Sequence, residues 1–142
     1  MEQNTKLTML FQFSIILLAL AAVTSEAISF GPKFHVHIVN GFKTDALHSH
    51  CKSKDDDLGM RQTNPGQEYE WSFRINFWGT TLYYCSFWWN GGRHQNDVFW
   101  VKDQFLNDYC GEKNCIWKAQ EDGIYLFSAI NGKFEFWYKW DK

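Results

Sequence analysis

The chain has 142 residues and a formal net charge of −2 at pH 7, and 19% of its residues are aromatic. A charge so close to neutral argues against a nucleic acid or an anionic membrane as the main partner. The length suits one folded domain after a short leader, and the aromatic content is typical of a β-rich core.

The first 27 residues are predicted to be a secretory signal peptide. Lys6 precedes an apolar run over residues 7–23, and Ser25 and Ala27 are small residues at the two positions that a signal peptidase recognises. A membrane anchor is the alternative, but the run is short for a membrane span and polar residues interrupt it. Cleavage after Ala27 leaves one domain, residues 28–142, which is not inserted in a membrane.

Eight short segments alternate apolar and polar residues, with the period of two that is typical of half-buried strands. Turn sequences such as Asn-Gly, Asp-Gly and Asn-Pro-Gly separate several of them. The predicted strands cover residues 34–39, 46–53, 71–77, 83–89, 97–102, 115–120, 124–128 and 134–140. The fold is therefore predicted to be all-β, an antiparallel β-sandwich of about eight strands.

The third and fourth predicted strands carry the most aromatic residues. In the third, Trp71, Phe73, Ile75 and Phe77 alternate with polar residues, and a short loop containing Gly79 leads to the fourth. Two alternating runs joined by a short glycine-containing loop indicate a β-hairpin. We expect this hairpin to form the centre of the core.

Four cysteines follow the predicted cleavage site: Cys51, Cys85, Cys110 and Cys115. An even number in a small secreted domain predicts two disulfides, with three possible connectivities. A bond between Cys110 and Cys115 closes a very short loop and therefore contributes little loop entropy. The expected pairing is Cys51 with Cys115 and Cys85 with Cys110.

Several motifs follow one another in the order seen in a known family. They are His50–Gly59, Trp71–Cys85, Asp97–Phe99, Cys115–Trp117 and Glu121–Tyr125. With these motifs the chain resembles the plant self-incompatibility proteins, also called S-protein homologues. The resemblance spans nearly the whole predicted mature chain.

This resemblance implies a secreted, disulfide-linked β-sandwich that acts as a ligand. In the best understood members, the ligand is a pistil protein that engages a plasma-membrane receptor on pollen and causes pollen rejection. The expected partner is accordingly a receptor protein of unknown identity, and the chain is expected to be a monomer without a cofactor.

The segment from Asp103 to Asn114 is the longest without a strand pattern, although a helical turn is possible there. Binding residues gather on long surface loops of rigid scaffolds. We therefore predict that this segment contacts the receptor, helped by the loop at Gly91 and Gly92. The candidate contact residues are Asp103, Asp108, Glu112 and Lys113.

Two other functions are weaker interpretations. The chain lacks nucleophile-elbow, zinc-protease and phosphate-loop motifs, so we expect no catalytic residues and no enzymatic activity. A carbohydrate- or cell-wall-binding module is the main alternative, because sugar faces stack on exposed aromatic rings. Trp78, Trp88 and Trp100 fall opposite apolar core positions and are the candidates for that role.

Four histidines suggest a further hypothesis. If the first two strands pair antiparallel, His35 lies opposite His50 and His37 opposite His48. Four imidazoles on one outer face could bind zinc or copper, or act as a charge switch in the mildly acidic cell wall. The alternative is four separate solvated side chains.

Overall fold

The structure is a computed structural model that describes residues 2–27 and 31–142. It contains two compact units, Met1–Gly31 and Pro32–Lys142. The described part of the first unit is helix α1, Glu2–Ala27. No helix among these described residues is long and apolar enough to cross a membrane. The flank that follows the predicted cleavage site, residues 28–30, lies outside the described residues, and cleavage after Ala27 stays a prediction.

The second unit is a sandwich of nine strands in two sheets. The five-stranded sheet has the order β4-β1-β7-β8-β9, and the four-stranded sheet has the order β3-β2-β5-β6. The strands are β1 Lys33–Asn40, β2 Leu47–Lys52, β3 Asp57–Thr63, β4 Glu68–Arg74, β5 Leu82–Trp89, β6 Gly92–Trp100, β7 Asn114–Gln120, β8 Gly123–Ser128 and β9 Lys133–Tyr138. Between β6 and β7 lie helix α2, Asp103–Asp108, and a 3₁₀ turn, Gly111–Lys113.

The predicted β-sandwich with two disulfides is confirmed, with two corrections of detail. Strand β3 had no predicted counterpart, because it is an edge strand and Thr63 is its only buried residue, so apolar and polar residues do not alternate along it. The sheets are also not wholly antiparallel, since β1 and β7 run parallel.

The predicted central hairpin is wrong. β4 belongs to the five-stranded sheet and β5 to the four-stranded sheet, so residues 75–81 cross from one sheet to the other. The predicted pairing of the first two strands is wrong for the same reason: β1 lies between β4 and β7, while β2 lies between β3 and β5. A short loop permits a hairpin but does not require one, because in a sandwich it can equally connect the two layers.

Alternate residues of every central strand fill the space between the sheets. On β1, Val36 and Ile38 point into the core and leave His35 and His37 on the outer face. The largest fully buried side chains are Trp117, Phe99, Ile38, Leu47, Ile124 and Leu126. The core is therefore one continuous layer to which both sheets contribute.

Both disulfides differ from the expected pairing. Cys51 is bonded to Cys85 and Cys110 to Cys115. Cys51 and Cys85 are direct cross-strand neighbours on β2 and β5, so strand register places them together. Cys110 and Cys115 flank the 3₁₀ turn. Their bond closes a short loop, which the loop-entropy argument had made the less expected pairing. Sheet geometry, and not loop length, decided the pairing.

Candidate recognition site

The loops of the sandwich gather at two opposite ends. The end that includes helix α2, here called the α2 end, carries residues 53–56, 75–81, 101–113 and 129–132. The opposite end carries residues 41–46, 64–67, 90–91 and 121–122. This arrangement follows from the strand registers, in which β1 pairs with β4 and β7, and β5 pairs with β2 and β6.

A hydrogen-bonded loop, residues 75–81, lies at the α2 end. The Asn76 side chain accepts a hydrogen bond from the Thr80 backbone N–H at 2.9 Å and donates one to the Thr80 hydroxyl at 2.9 Å. The Asn76 backbone N–H donates to the Thr81 hydroxyl at 2.8 Å. Gly79 supplies the positive φ of 66° that closes the turn. These bonds hold the tip of the loop in one conformation.

That tip presents two adjacent aromatic side chains to solvent. Phe77 is 92% exposed and Trp78 is 80% exposed. Their rings meet edge to face, with centroids 5.2 Å apart. Isolated exposed apolar side chains are ordinary, but two neighbouring aromatic rings on a fixed loop are the kind of feature found at binding sites. The prediction that Phe77 belongs to a core strand is wrong, because β4 ends at Arg74.

The segment that follows β6 is anchored to the sandwich by aromatic stacking. Phe105 of α2 is buried and stacks on Trp100 with ring centroids 3.7 Å apart. The Tyr109 hydroxyl donates a hydrogen bond to Glu135 at 3.2 Å, and the Ala129 backbone N–H donates to the Asp108 carbonyl oxygen at 2.8 Å. Burial is the main cause that raises the pKa of Tyr109 above its usual value. The segment is therefore a docked element rather than an irregular loop.

The loop closed by Cys110–Cys115 contains two residues with left-handed backbone conformations. Glu112 has φ 51° and Lys113 has φ 64°, and both side chains are exposed. A residue other than glycine pays a conformational cost in this region, on the order of 1–2 kcal/mol. The disulfide and the docking of α2 hold the strained turn in place, so both charged side chains project from a constrained surface.

The predicted contact residues lie together at the α2 end, but the predicted accessory loop does not. Asp103, Glu112 and Lys113 are exposed, and Asp108 is half-buried. The turn at Gly91 and Gly92 connects β5 to β6 at the opposite end of the sandwich. The full length of β6 separates this turn from α2, so the two do not form one surface, and contact of the turn with the receptor stays a prediction.

Of the three tryptophans considered for sugar binding, one is open to solvent. Trp100 is covered by Phe105, and Trp88 is half-buried with the His48 ring stacked on it at a centroid distance of 5.5 Å. Trp78 is exposed, with the Phe77 ring perpendicular to it at 85°. Of the three, Trp78 is therefore the one candidate left for sugar stacking.

The four histidines do not form one cluster. His35 and His37 lie on the outer face of the five-stranded sheet, and His48 and His50 lie on the outer face of the four-stranded sheet. The predicted four-imidazole metal site is thus wrong, because β1 and β2 belong to different layers. Each of His35, His37 and His50 contacts carboxylates instead.

Comparison with known proteins agrees with this architecture. Residues 35–140 match the family described as plant self-incompatibility protein S1. S-protein homolog 2 of Arabidopsis thaliana is 39% identical over 94 residues, which are 66% of this chain and 58% of that protein. S-protein homolog 1 of the same plant is 37% identical over 110 residues, which are 77% of this chain and 72% of that protein.

A solved structure also resembles this chain. It is described as a self-incompatibility protein homologue from a widespread family of small, highly stable, secreted plant proteins. The TM-score is 0.62 at 19% identity, and the match covers 79% of this chain and 97% of that one. At 19% identity this structural similarity supports the fold alone, and the sequence matches support membership of the family.

Proposed function

The chain belongs to the plant self-incompatibility protein S1 family, and from that premise we propose that it is a ligand that recognises a receptor protein on a cell surface. Proteins of this family are secreted, and this one is extracellular. The recognition surface in this proposal is the α2 end of the sandwich. Pollen rejection is the narrower form of the same proposal, in which the receptor is on pollen.

The observation that carries the proposal is the exposed pair Phe77 and Trp78. Hot spots of protein interfaces are enriched in aromatic residues, and truncating one typically costs about 2 kcal/mol or more of binding free energy. The hydrogen bonds around Asn76 keep the pair ordered before binding, which lowers the entropy that association must overcome. A methyl group at Gly79 would lie 3.9 Å from Val101, so this loop adjoins the segment that carries Asp103.

Binding, and not catalysis, is the proposed mode of action. All four cysteines are in disulfides, so the chain offers no thiol nucleophile. The aromatic pair and the charged loop closed by Cys110–Cys115 are suited to contact a complementary surface, with an apolar centre and a polar rim.

The proposed signal peptide can be tested by expressing the full chain in plant cells. We propose that cleavage after Ala27 releases the domain, and mass spectrometry of protein from the medium of plant cells expressing the full chain measures the new N-terminus. A chain that begins at residue 28 supports the proposal. A chain that retains α1 would contradict it.

The receptor proposal is tested with the secreted protein, labelled with a fluorophore, on pollen and on wall-free protoplasts. We expect saturable binding that protease treatment of the cells abolishes. The variant Phe77→Ala/Trp78→Ala should bind at least about 30-fold more weakly, which corresponds to about 2 kcal/mol. Met60→Ala is the matched control, because Met60 is also an exposed apolar residue but lies on β3, away from the α2 end.

The binding experiment also distinguishes a receptor ligand from a carbohydrate-binding module. Binding to isolated cell-wall polysaccharide, with none to protoplasts, would support a carbohydrate-binding module and overturn the receptor proposal. Equal binding by the double variant and by Met60→Ala would move the recognition surface away from Phe77 and Trp78.

A further inference from the structure

A compact group of imidazole and carboxylate side chains lies on the outer face of the five-stranded sheet. His35 and His37 are alternate residues of β1, and Glu68 and Glu70 are alternate residues of the edge strand β4. The antiparallel register pairs His37 directly with Glu70. Because alternate residues of a strand share one face, all four side chains project to the same side. No part of the proposed recognition surface uses them.

Three of these side chains converge on one point. The Nδ1 atom of His37 lies 3.0 Å from a carboxylate oxygen of Glu68 and 3.8 Å from one of Glu70. One ligand atom from each of these three residues lies within 4.8 Å of the other two. The His37 side chain is only 14% exposed, whereas the Glu68 and Glu70 side chains are 47% and 41% exposed, so the group opens to solvent on its carboxylate side.

A chain of hydrogen bonds orients the His37 ring. The Asn114 side-chain amide N–H donates to the carbonyl oxygen of Glu112 at 3.0 Å, which turns the Asn114 Oδ1 atom toward His37. The His37 Nε2 atom lies 2.8 Å from that oxygen, a geometry that fits the tautomer with the proton on Nε2. The lone pair of Nδ1 then faces two carboxylates. In that tautomer a proton or a cation must lie between the lone pair and the carboxylates: a second proton on the ring, a proton on one carboxyl group, or a bound cation.

A divalent cation fits this requirement. With a neutral His37, the two ionised glutamates give the group a formal charge of −2, which one divalent ion neutralises. Metal–ligand distances of about 2.0–2.1 Å in a tetrahedral site separate neighbouring ligand atoms by about 3.3 Å. The observed His37–Glu68 and His37–Glu70 separations of 3.0 and 3.8 Å bracket that value, and all three ligand atoms lie within 4.8 Å of one another. An imidazole ligand favours a transition metal over Mg²⁺ or Ca²⁺.

We propose that His37, Glu68 and Glu70 bind a divalent transition metal ion of the zinc class, with a fourth position open to solvent. His35 lies 2.7 Å from the other oxygen of Glu70 and orients that carboxylate, and Asn114 orients the His37 ring. Such outer partners commonly hold metal ligands in position. The site shares one ligand with the four-histidine hypothesis and otherwise differs from it.

Zinc titration of the purified secreted protein, without a histidine tag, tests the proposal. We expect one zinc ion per chain at micromolar zinc, measured by calorimetry with zinc chloride. His37→Gln and Glu70→Gln should lower the affinity by at least about 100-fold, and Asn114→Ala by about 10–100-fold. His50→Gln is the matched control, because His50 also contacts a carboxylate, Asp57 at 2.6 Å, in the other sheet.

Two results would contradict the proposed metal site. One is the absence of saturable zinc binding together with NMR signals that show protons on both ring nitrogens of His37 in excess zinc, which would establish a plain ion pair. The other is an equal loss of affinity in His37→Gln and His50→Gln, which would indicate nonspecific surface binding. Far-UV circular dichroism of each variant checks that the fold is retained.

Discussion

The indole N–H of Trp117 donates a hydrogen bond to the carbonyl oxygen of Val98, with 2.9 Å between nitrogen and oxygen. Trp117 lies on β7 and Val98 on β6, so this bond joins the two sheets across the core. Both residues are almost completely buried, at 1% and 0% exposure. Val98 is the extra residue where the register of β5 and β6 shifts. The bond therefore fixes how one layer is placed on the other.

Trp117→Phe should lower the free energy of unfolding by about 2–4 kcal/mol. The substitution leaves a cavity and a buried carbonyl without its donor. Urea denaturation followed by far-UV circular dichroism measures the change. Trp78→Phe is the control, and because Trp78 is exposed its effect should stay within about 0.5 kcal/mol. Similar losses in the two variants would contradict the role given to Trp117.

The two disulfides should contribute unequally to stability. Cys51–Cys85 joins residues 34 apart and Cys110–Cys115 joins residues 5 apart. Loop entropy predicts about 4 and about 2 kcal/mol for them. The double variant Cys51→Ser/Cys85→Ser should therefore unfold at lower urea than Cys110→Ser/Cys115→Ser, and Cys85→Ser alone should yield little secreted protein. Normal secretion of Cys85→Ser would show that this disulfide is dispensable.

Lys113→Gly should raise the free energy of unfolding by up to about 1 kcal/mol. Glycine adopts the left-handed conformation of this position without the steric cost, although its greater freedom in the unfolded chain offsets part of the gain. Lys113→Val should have the opposite sign, since a β-branched residue fits this conformation worst. Thermal unfolding of the two variants side by side measures the difference. Destabilisation by glycine would show that the turn is not strained.

Asp57 should make the stability depend on pH at the acidic end. A hydrogen bond from His50 and one from the Gly59 backbone N–H lower the pKa of Asp57 below its ordinary value of 3.8. Because the folded pKa is the lower one, the contribution is present above pH 3.8 and is lost as the pH falls through the folded pKa. The stability advantage of the wild type over Asp57→Asn should therefore shrink below pH 3.8. An advantage that is constant with pH would refute this assignment, and Asp55→Asn serves as control.

Asp108→Ala/Glu112→Ala should weaken binding to the cell-surface partner without unfolding the protein. The backbone carbonyl of Asp108, not its side chain, docks α2 to Ala129, so the substitution keeps that contact. Saturation binding to protoplasts measures the effect. Asp122→Ala, at the opposite end of the sandwich, should bind like the wild type. Unchanged binding of the double variant would place the contact on another surface.

Much of the fold was predictable because burial follows local alternation along the chain. The strand predicted over residues 34–39 has its alternate residues Val36 and Ile38 buried, as a period of two indicates. Strand β3 was not predicted because this edge strand, with Thr63 as its only buried residue, carries no such alternation. For the proposed recognition surface, the sequence indicated the segment that carries Glu112. It did not indicate Phe77, whose aromatic ring resembles a core residue until β4 is seen to end at Arg74.

The sequence by itself determined the class of fold, the alternation of most strands, the family and the oxidised state of four cysteines. Only the tertiary structure decided which strands are neighbours, and with that the Cys51–Cys85 bond, the separation of His37 from His48, and the approach of His37 to Glu68 and Glu70. The physical reason is that a strand with alternating apolar and polar residues can pair with any other strand whose apolar residues lie on the same face of the sheet. Pairing depends on how the whole core packs, which no local pattern contains.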